Sequence, residues 1–315
     1  MINWITSQPW CSGAVGMIGI SWGGFNGLQV AYRQPEALKA VITICSTDDR
    51  YADDIHYKGG AMLNENMGWS STMLSYSSRP PDPVLVGESW RETWLKRLEA
   101  EPLLIANWLH HQTRDEFWKH GSVCEDYSRV SIPVLAVGGW SDAYSNAVPR
   151  MLENLPGFTR GIVGPWLHKY PHFAVPGPAI GFLQEALRWW DHWLKGIDDG
   201  IMDEPMLRVW VQDSLPPQPQ YETRPGRWVA ETDWPGANVT DRRYHLGWGH
   251  LSEAEHVVHD VSFSSPHTLG VRGGEWCGFG SDGEAPRDQR SDDGGSQLFD
   301  SDPLTADIDL FGTPV

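Results

Sequence analysis

Apolar residues in this chain first cluster in short, nearly unbroken runs. Residues 14–20 read Ala-Val-Gly-Met-Ile-Gly-Ile and close on Ser21. A run of that length bounded by small residues is the pattern of a buried parallel strand. The next stretch switches to helical spacing, with Phe25, Leu28 and Ala31 on one face, until Gln34-Pro35 stops it. Residues 40–45, Ala-Val-Ile-Thr-Ile-Cys, form a second buried strand by their β-branched content. Residues 132–138 and 159–164 follow the same plan, with a helical stretch near 146–155 between them. Strand, helix, strand with short links predicts a parallel sheet. Ile180, Leu183, Leu187, Trp190 and Leu194 then predict an amphipathic helix, ended by Gly196.

Two regions depart from that rhythm. From residue 46 to residue 130 the chain is rich in Trp, Leu, Met and charge, with Pro80-Pro-Asp-Pro83 as a break. Residues 88–111 predict two helices meeting at Pro102, with Trp90, Trp94 and Leu98 on one face and Glu92 beside Lys96 on another. An insertion of this kind between sheet strands predicts a helical lid, placed at about 47–130. Beyond residue 203 short extended runs alternate with Pro, Gly and Asp, clearest at 207–212, 227–230 and 243–246. That pattern predicts a β-sandwich or jelly-roll domain over 204–315, following a first domain over 1–203.

Charge narrows the partners. The net charge is −17, and residues 251–315 carry 13 Asp/Glu against 3 Lys/Arg. Binding to phosphate backbones needs the opposite sign, so nucleic acid is not an expected partner. No run of 18 apolar residues is present, so no membrane span is predicted. The four cysteines, Cys11, Cys45, Cys124 and Cys277, form no C-x-x-C pair, which suggests neither a zinc site nor a disulfide framework and favours the cytoplasm.

The chemistry begins at the first strand–turn–helix. Gly19-x-Ser21-x-Gly23 between a strand and a helix is a nucleophile elbow, the mark of an α/β-hydrolase core. The turn is tight, so the residues two before and two after the serine are expected to have no room for a Cβ. Serine needs a histidine base oriented by a carboxylate, in the chain order Ser, acid, His. Asp142 lies four residues past the run ending at Gly138, and His168 four past the run ending at Gly164. Both fall at carboxyl ends of predicted parallel strands, where open α/β sheets bind ligands. His110, His111, His172 and His192 sit on helices or beside a proline and fit the role less well. Such a site needs no cofactor or metal. Its expected partner is a small ester or amide, or a short peptide. Association into a homo-oligomer is compatible with the sequence.

The motifs carry a wider resemblance. The stretch from Trp4-Ile through Gln8-Pro-Trp-Cys to Gly19-Ile-Ser-Trp-Gly-Gly24 resembles the family of X-prolyl dipeptidyl-peptidases, bacterial cocaine esterase and α-amino-acid ester hydrolases, the CocE/NonD hydrolases. The likeness continues in Gly138-Gly-Trp-Ser-Asp142, Gly164-Pro-Trp-Leu-His168, Trp189-Trp-Asp-His-Trp, Met202-Asp-Glu-Pro-Met206 and Phe299-Asp-Ser-Asp-Pro-Leu304 with Gly312 and Pro314. It implies that Ser21 is the nucleophile, Asp142 the orienting acid and His168 the general base, with the Trp22 backbone N–H as half of the oxyanion hole. Trp69, Trp90, Tyr144 and Trp166 are the candidates for a substrate pocket. The absence of an acid after Asp142, where Ala143-Tyr144-Ser145 stands, argues against α-amino-acid esters. The leading expectation is a serine hydrolase acting through an acyl-enzyme. X-prolyl dipeptidyl-peptidase activity is the alternative within that class, and a non-catalytic carbohydrate-binding module is the alternative outside it. Family members carry strands before the elbow and an oxyanion tyrosine on them. Only 13 residues precede the elbow run here, so the chain is expected to be an internal piece of a longer protein.

Overall fold

Glycine-punctuated apolar runs become the strands of a central sheet in the computed structural model, which describes residues 1–255, 260 and 262–311. The motif residues Gly312 and Pro314 lie outside the described residues. The chain divides into two units, Thr47–Asp126 being one and the residues on either side of it the other.

In the flanking unit, α1 (Ile2–Thr6) precedes β1 (Val15–Ile20), α2 (Trp22–Tyr32) and β2 (Leu38–Ile44). The inserted unit contains β3 (Asp53–Asp54), β4 (Tyr57–Lys58), β5 (Ala61–Met62), α3 (Glu65–Ser77), α4 (Pro83–Val86), α5 (Trp90–Ala100), α6 (Leu104–His110) and α7 (Glu116–Lys119). The flanking unit then resumes with β6 (Val134–Gly139), α8 (Ala147–Asn154), β7 (Thr159–Gly164), α9 (Phe182–Lys195), β8 (Leu207–Gln212) and β9 (Gly226–Glu231).

The central sheet runs β1-β2-β6-β7-β8-β9, parallel from β1 to β8 and antiparallel only at β9. Register places Ile20 beside Ile44, Ile44 beside Val137 and Gly139 beside Gly164. The carboxyl ends of four strands are therefore level, and the residues that follow them emerge along one edge. Beneath that edge Ile42, Ile44, Val137 and Ile162 pack with Phe182, Ala186 and Trp189 of α9. Each such side chain contributes about 1.5–3 kcal/mol by leaving water, which fixes where the strand ends sit.

Two expectations change. The face of α9 that is buried holds Phe182, Ala186 and Trp189, whereas Leu183 and Leu187 are exposed. Aromatic bulk decides this: the Trp190 ring lies so close to β1 that a Cβ at Gly16 would come within 2.4 Å of it. The runs at 207–212 and 227–230, read as the opening of a β-sandwich, instead extend the central sheet as β8 and β9. Arg208 explains part of this, because its guanidinium forms a two-pronged pair with Glu185 of α9 at 2.7 and 3.0 Å and ties β8 to the core helix. Past residue 231 the described residues hold one short ladder, β10 (His245–Leu246) against β11 (Leu251–Ser252), a 3₁₀ turn at Val271–Gly273 and one short α-helix, α10 (Arg290–Asp293).

The inserted unit is organised around Trp118, which is fully buried. Its ring lies 4.8 Å from His56, 4.8 Å from Phe117 and 5.6 Å from Tyr57. Arg50 covers Phe117 and Trp118 and donates to the Phe117 and His120 carbonyls at 2.8 and 2.6 Å. Pro102 does separate two helices, and Lys96 pairs with Glu92 at 2.7 Å.

Candidate active site

β1 delivers Ser21 at the start of α2 with φ 59° and ψ −128°. That left-handed φ is costly for a residue with a Cβ, about 1–2 kcal/mol. The Ser21 N–H donates to the Ile44 carbonyl at 2.8 Å, and its carbonyl accepts from Phe25 N–H at 2.9 Å, so β2 and α2 hold the turn from both sides. A Cβ at Gly19 would lie 2.3 Å from the Gly23 carbonyl carbon, so Gly19 must be glycine. Gly23 is different, since a Cβ there meets no atom within 4 Å. The second crowded position is Gly24, against Thr43 Oγ1 at 2.6 Å, one residue later than the motif suggests.

Asp142 and His168 meet. His168 Nδ1 donates to Asp142 Oδ1 at 2.8 Å, and their side chains are 4% and 0% exposed. The two loops that carry them are joined through the backbone. Trp140 N–H donates to Gly164 O at 2.9 Å, and Ser141 N–H to Trp166 O at 3.1 Å. A Cβ at Gly139 would stand 2.0 Å from Trp166 O, so only glycine permits this approach. Ser21 follows β1, two strands from β6 in the same sheet, and Ser21 Oγ makes no hydrogen bond in the described structure. Catalytic contacts of this type often close only when substrate is bound.

Of the proposed pocket residues, Tyr144 packs 5.7 Å from the His168 ring. Trp166 does not line a pocket. It is 1% exposed and gives its indole N–H to the Pro178 carbonyl at 2.8 Å, so it supports the His168 loop from within the core. Trp69 and Trp90 lie in the inserted unit, both half-buried, on α3 and at the start of α5, with Trp90 stacked on Trp94. Trp22 is the first residue of α2, where amides have no carbonyl one turn earlier in the helix. Three of the four rival histidines have other partners, His111 with Asp115 at 2.6 Å, His192 near the Ile197 carbonyl at 3.2 Å and His172 against Phe182, while His110 is exposed at the end of α6.

Two features had no signal in the sequence pattern. Residues 276–279 return to the site, with Gly278 O accepting from His168 N–H at 3.1 Å, Phe279 edge-on to the His168 ring at 5.2 Å and Trp276 against Tyr144 at 5.5 Å. Cys45, the residue after β2, is 2% exposed with φ 47°, and its Sγ belongs to a buried group with Asp142 and His168. Burial and the Asp142 charge push the Cys45 thiol well up, so it carries its proton.

Comparison with known proteins gives the family of the chain. The model of the X-Pro dipeptidyl-peptidase (S15 family) matches residues 1–170. The chain belongs to that S15 family. The model of the X-Pro dipeptidyl-peptidase C-terminal non-catalytic domain matches residues 199–315 of this S15 chain. Cocaine esterase of Rhodococcus sp. (strain MB1 Bresler) is 27% identical over 78% of this chain and 46% of its own length. A putative Xaa-Pro dipeptidyl-peptidase of Bacillus cereus is 26% identical over 64% of this chain and 33% of its own. The S15 chain thus spans less than half the length of these relatives. Among solved structures, a CocE/NonD family hydrolase from Staphylococcus aureus superposes with a TM-score of 0.63 at 19% identity, over 80% of this chain and 41% of that one. An α-amino acid ester hydrolase gives 0.55 at 20% identity, over 84% and 47%. These likenesses establish the α/β-hydrolase fold with a C-terminal β domain. No helix among the described residues is long and apolar enough to cross a membrane.

Proposed function

We propose that this chain carries the machinery of a serine hydrolase that cleaves ester or amide bonds through an acyl-enzyme. The observation that supports it most is the buried His168–Asp142 bond of 2.8 Å at the carboxyl edge of a sheet whose first strand ends in a strained serine. Ser21 Oγ attacks the substrate carbonyl while His168 takes its proton through Nε2 and then delivers it to the leaving group. Asp142 holds the Nδ1–H tautomer and balances the imidazolium that forms. The Trp22 backbone N–H, at the start of α2, faces the developing oxyanion as one of its donors. Water, activated by the same imidazole, releases the acyl group.

Ester and X-prolyl peptide substrates are the two readings the relatives favour. A fluorophosphonate probe should label Ser21 in the wild type and leave Ser21→Ala unlabelled. Label on another residue, or on both proteins equally, removes the assignment. Release from a Gly-Pro anilide against hydrolysis of a short acyl nitrophenyl ester separates the two substrate readings.

A further inference from the structure

Three strands of the sheet end in three different ligand types. Cys45 follows β2, Asp142 lies three residues past β6, and His168 lies four past β7. One ligand atom from each, a thiol sulfur, a carboxylate oxygen and a ring nitrogen, all lie within 4.8 Å of one another, and all three residues are buried. Sulfur, nitrogen and oxygen donors converging on one point are the donor set of zinc. Acyl transfer uses two of these groups and has no task for the third.

Further observations concern the same spot. Asp142 Oδ2 is buried and takes no bond from an N–H or O–H among the described residues, and the Cys45 thiol is the group that hydrogen-bonds the Asp142 carboxylate. Cys45 holds a left-handed φ of 47°, unfavourable for a residue with a Cβ. Its N–H is fixed to Val137 O at 2.8 Å, and its Sγ stands 3.9 Å from Lys169 O. The thiol is therefore placed by the sheet, and not by a flexible loop, against the Asp142 carboxylate.

We propose that Cys45, Asp142 and His168 form an inhibitory binding site for a soft divalent cation, with zinc as the expected ion. Binding forms a metal–sulfur bond and releases the Cys45 proton to solvent. Asp142 binds through one carboxylate oxygen, and His168 binds as neutral imidazole through one ring nitrogen. The dication arrives as the Cys45 proton leaves, so the buried group goes from the single negative charge of Asp142 to neutral. Magnesium and calcium prefer six or more oxygen ligands, and one carboxylate does not satisfy them. The metal consumes the acid and base that Ser21 needs, so occupancy and acyl transfer exclude each other. The inhibitory consequence rests on the hydrolase reading; the binding itself does not.

Cadmium serves as the optical probe, because a cadmium–thiolate bond absorbs in the ultraviolet. One equivalent added to the chain should produce that band in the wild type and not in Cys45→Ala. Zinc should slow fluorophosphonate labelling of Ser21 by about tenfold or more, EDTA should restore it, and magnesium should do neither. Cys45→Ala, compared with its own metal-free rate, should lose the zinc effect. Should that variant fail to fold, zinc X-ray absorption on the wild type decides, through a sulfur shell at about 2.3 Å. Equal cadmium bands in both proteins, or a zinc shell without sulfur, overturns the proposal. A serine that never labels even without zinc counts against the hydrolase reading alone, since the cadmium band still reports the site.

Discussion

Two buried histidines in this molecule are built almost alike and differ in one partner. His168 in the flanking unit and His56 in the inserted unit are 5% and 6% exposed. Each bonds through Nδ1 at 2.8 Å, and each is enclosed by rings: His168 by Phe279 and Tyr144, His56 by Trp108 and Trp118. The partner of His168 is the Asp142 carboxylate, whereas that of His56 is the Asn66 amide oxygen. Asn66 spends its N–H groups on the His56 and Leu63 carbonyls, so its oxygen must accept from His56 Nδ1–H. A carboxylate can balance an imidazolium; an amide offers only a dipole. Burial pushes His56 down to about 4 despite the Asn66 bond, with the nearby Arg50 charge acting in the same direction. One histidine faces a carboxylate, while burial without a counter-charge turns the other away from the proton.

Exchanging the partners is the strongest way to break this contrast. Asp142→Asn gives His168 the kind of partner His56 has. It should lower kcat/KM on a nitrophenyl ester by about 10⁴ while circular dichroism stays unchanged. A loss below tenfold would show that the carboxylate is not what distinguishes the two.

Trp118→Ala opens the enclosure of His56 and should destabilise the inserted unit by about 3–5 kcal/mol. Urea unfolding followed by hydrogen exchange in residues 53–66 reads this directly. The acid response is next in size. His56 has its folded value depressed below the ordinary 6.5, so the neutral form that suits the fold is fully present above pH 6.5. As pH falls from about 6.5 towards 4 the unfolded chain takes up the proton first, and stability should drop by up to about 3 kcal/mol. Asn66→Asp should shrink that loss by supplying a counter-charge, and an unchanged pH profile in this variant would refute the amide's role. The smallest expected effect is at Phe279. Its removal as Phe279→Ala takes an edge-on ring from His168, worth about 0.5–1.5 kcal/mol, and should lower kcat/KM by less than about tenfold.

The site was readable where its residues announce themselves locally. Ser21 has a strand before it and a helix after it, and Asp142 and His168 each follow an apolar run by the same short step. Cys45 was not readable, because only the register of β2 against β6 brings its sulfur beside Asp142. Trp166 misled because an aromatic two residues before His168 looks the same in sequence whether it faces a substrate or the core. The buried face of α9 was misjudged by counting leucines at helical spacing, when Phe182 and the tryptophans fill the volume against β1 and β2. β8 and β9 resembled strands of a sandwich because alternation reports that a strand exists, not which sheet receives it. Residues 276–279 return to His168 over a sequence separation of more than a hundred residues, for which no local pattern exists.

The close approach at Gly139 has a consequence for how this candidate site can diversify. With the Trp166 carbonyl 2.0 Å from where a Cβ would stand, the loops bearing Asp142 and His168 are welded into one piece. Neither can be lengthened, shifted or retuned without carrying the other along. Inherited change around this pair is therefore channelled away from the weld, towards the returning segment around Phe279, where side chains can vary while Asp142 and His168 stay in place.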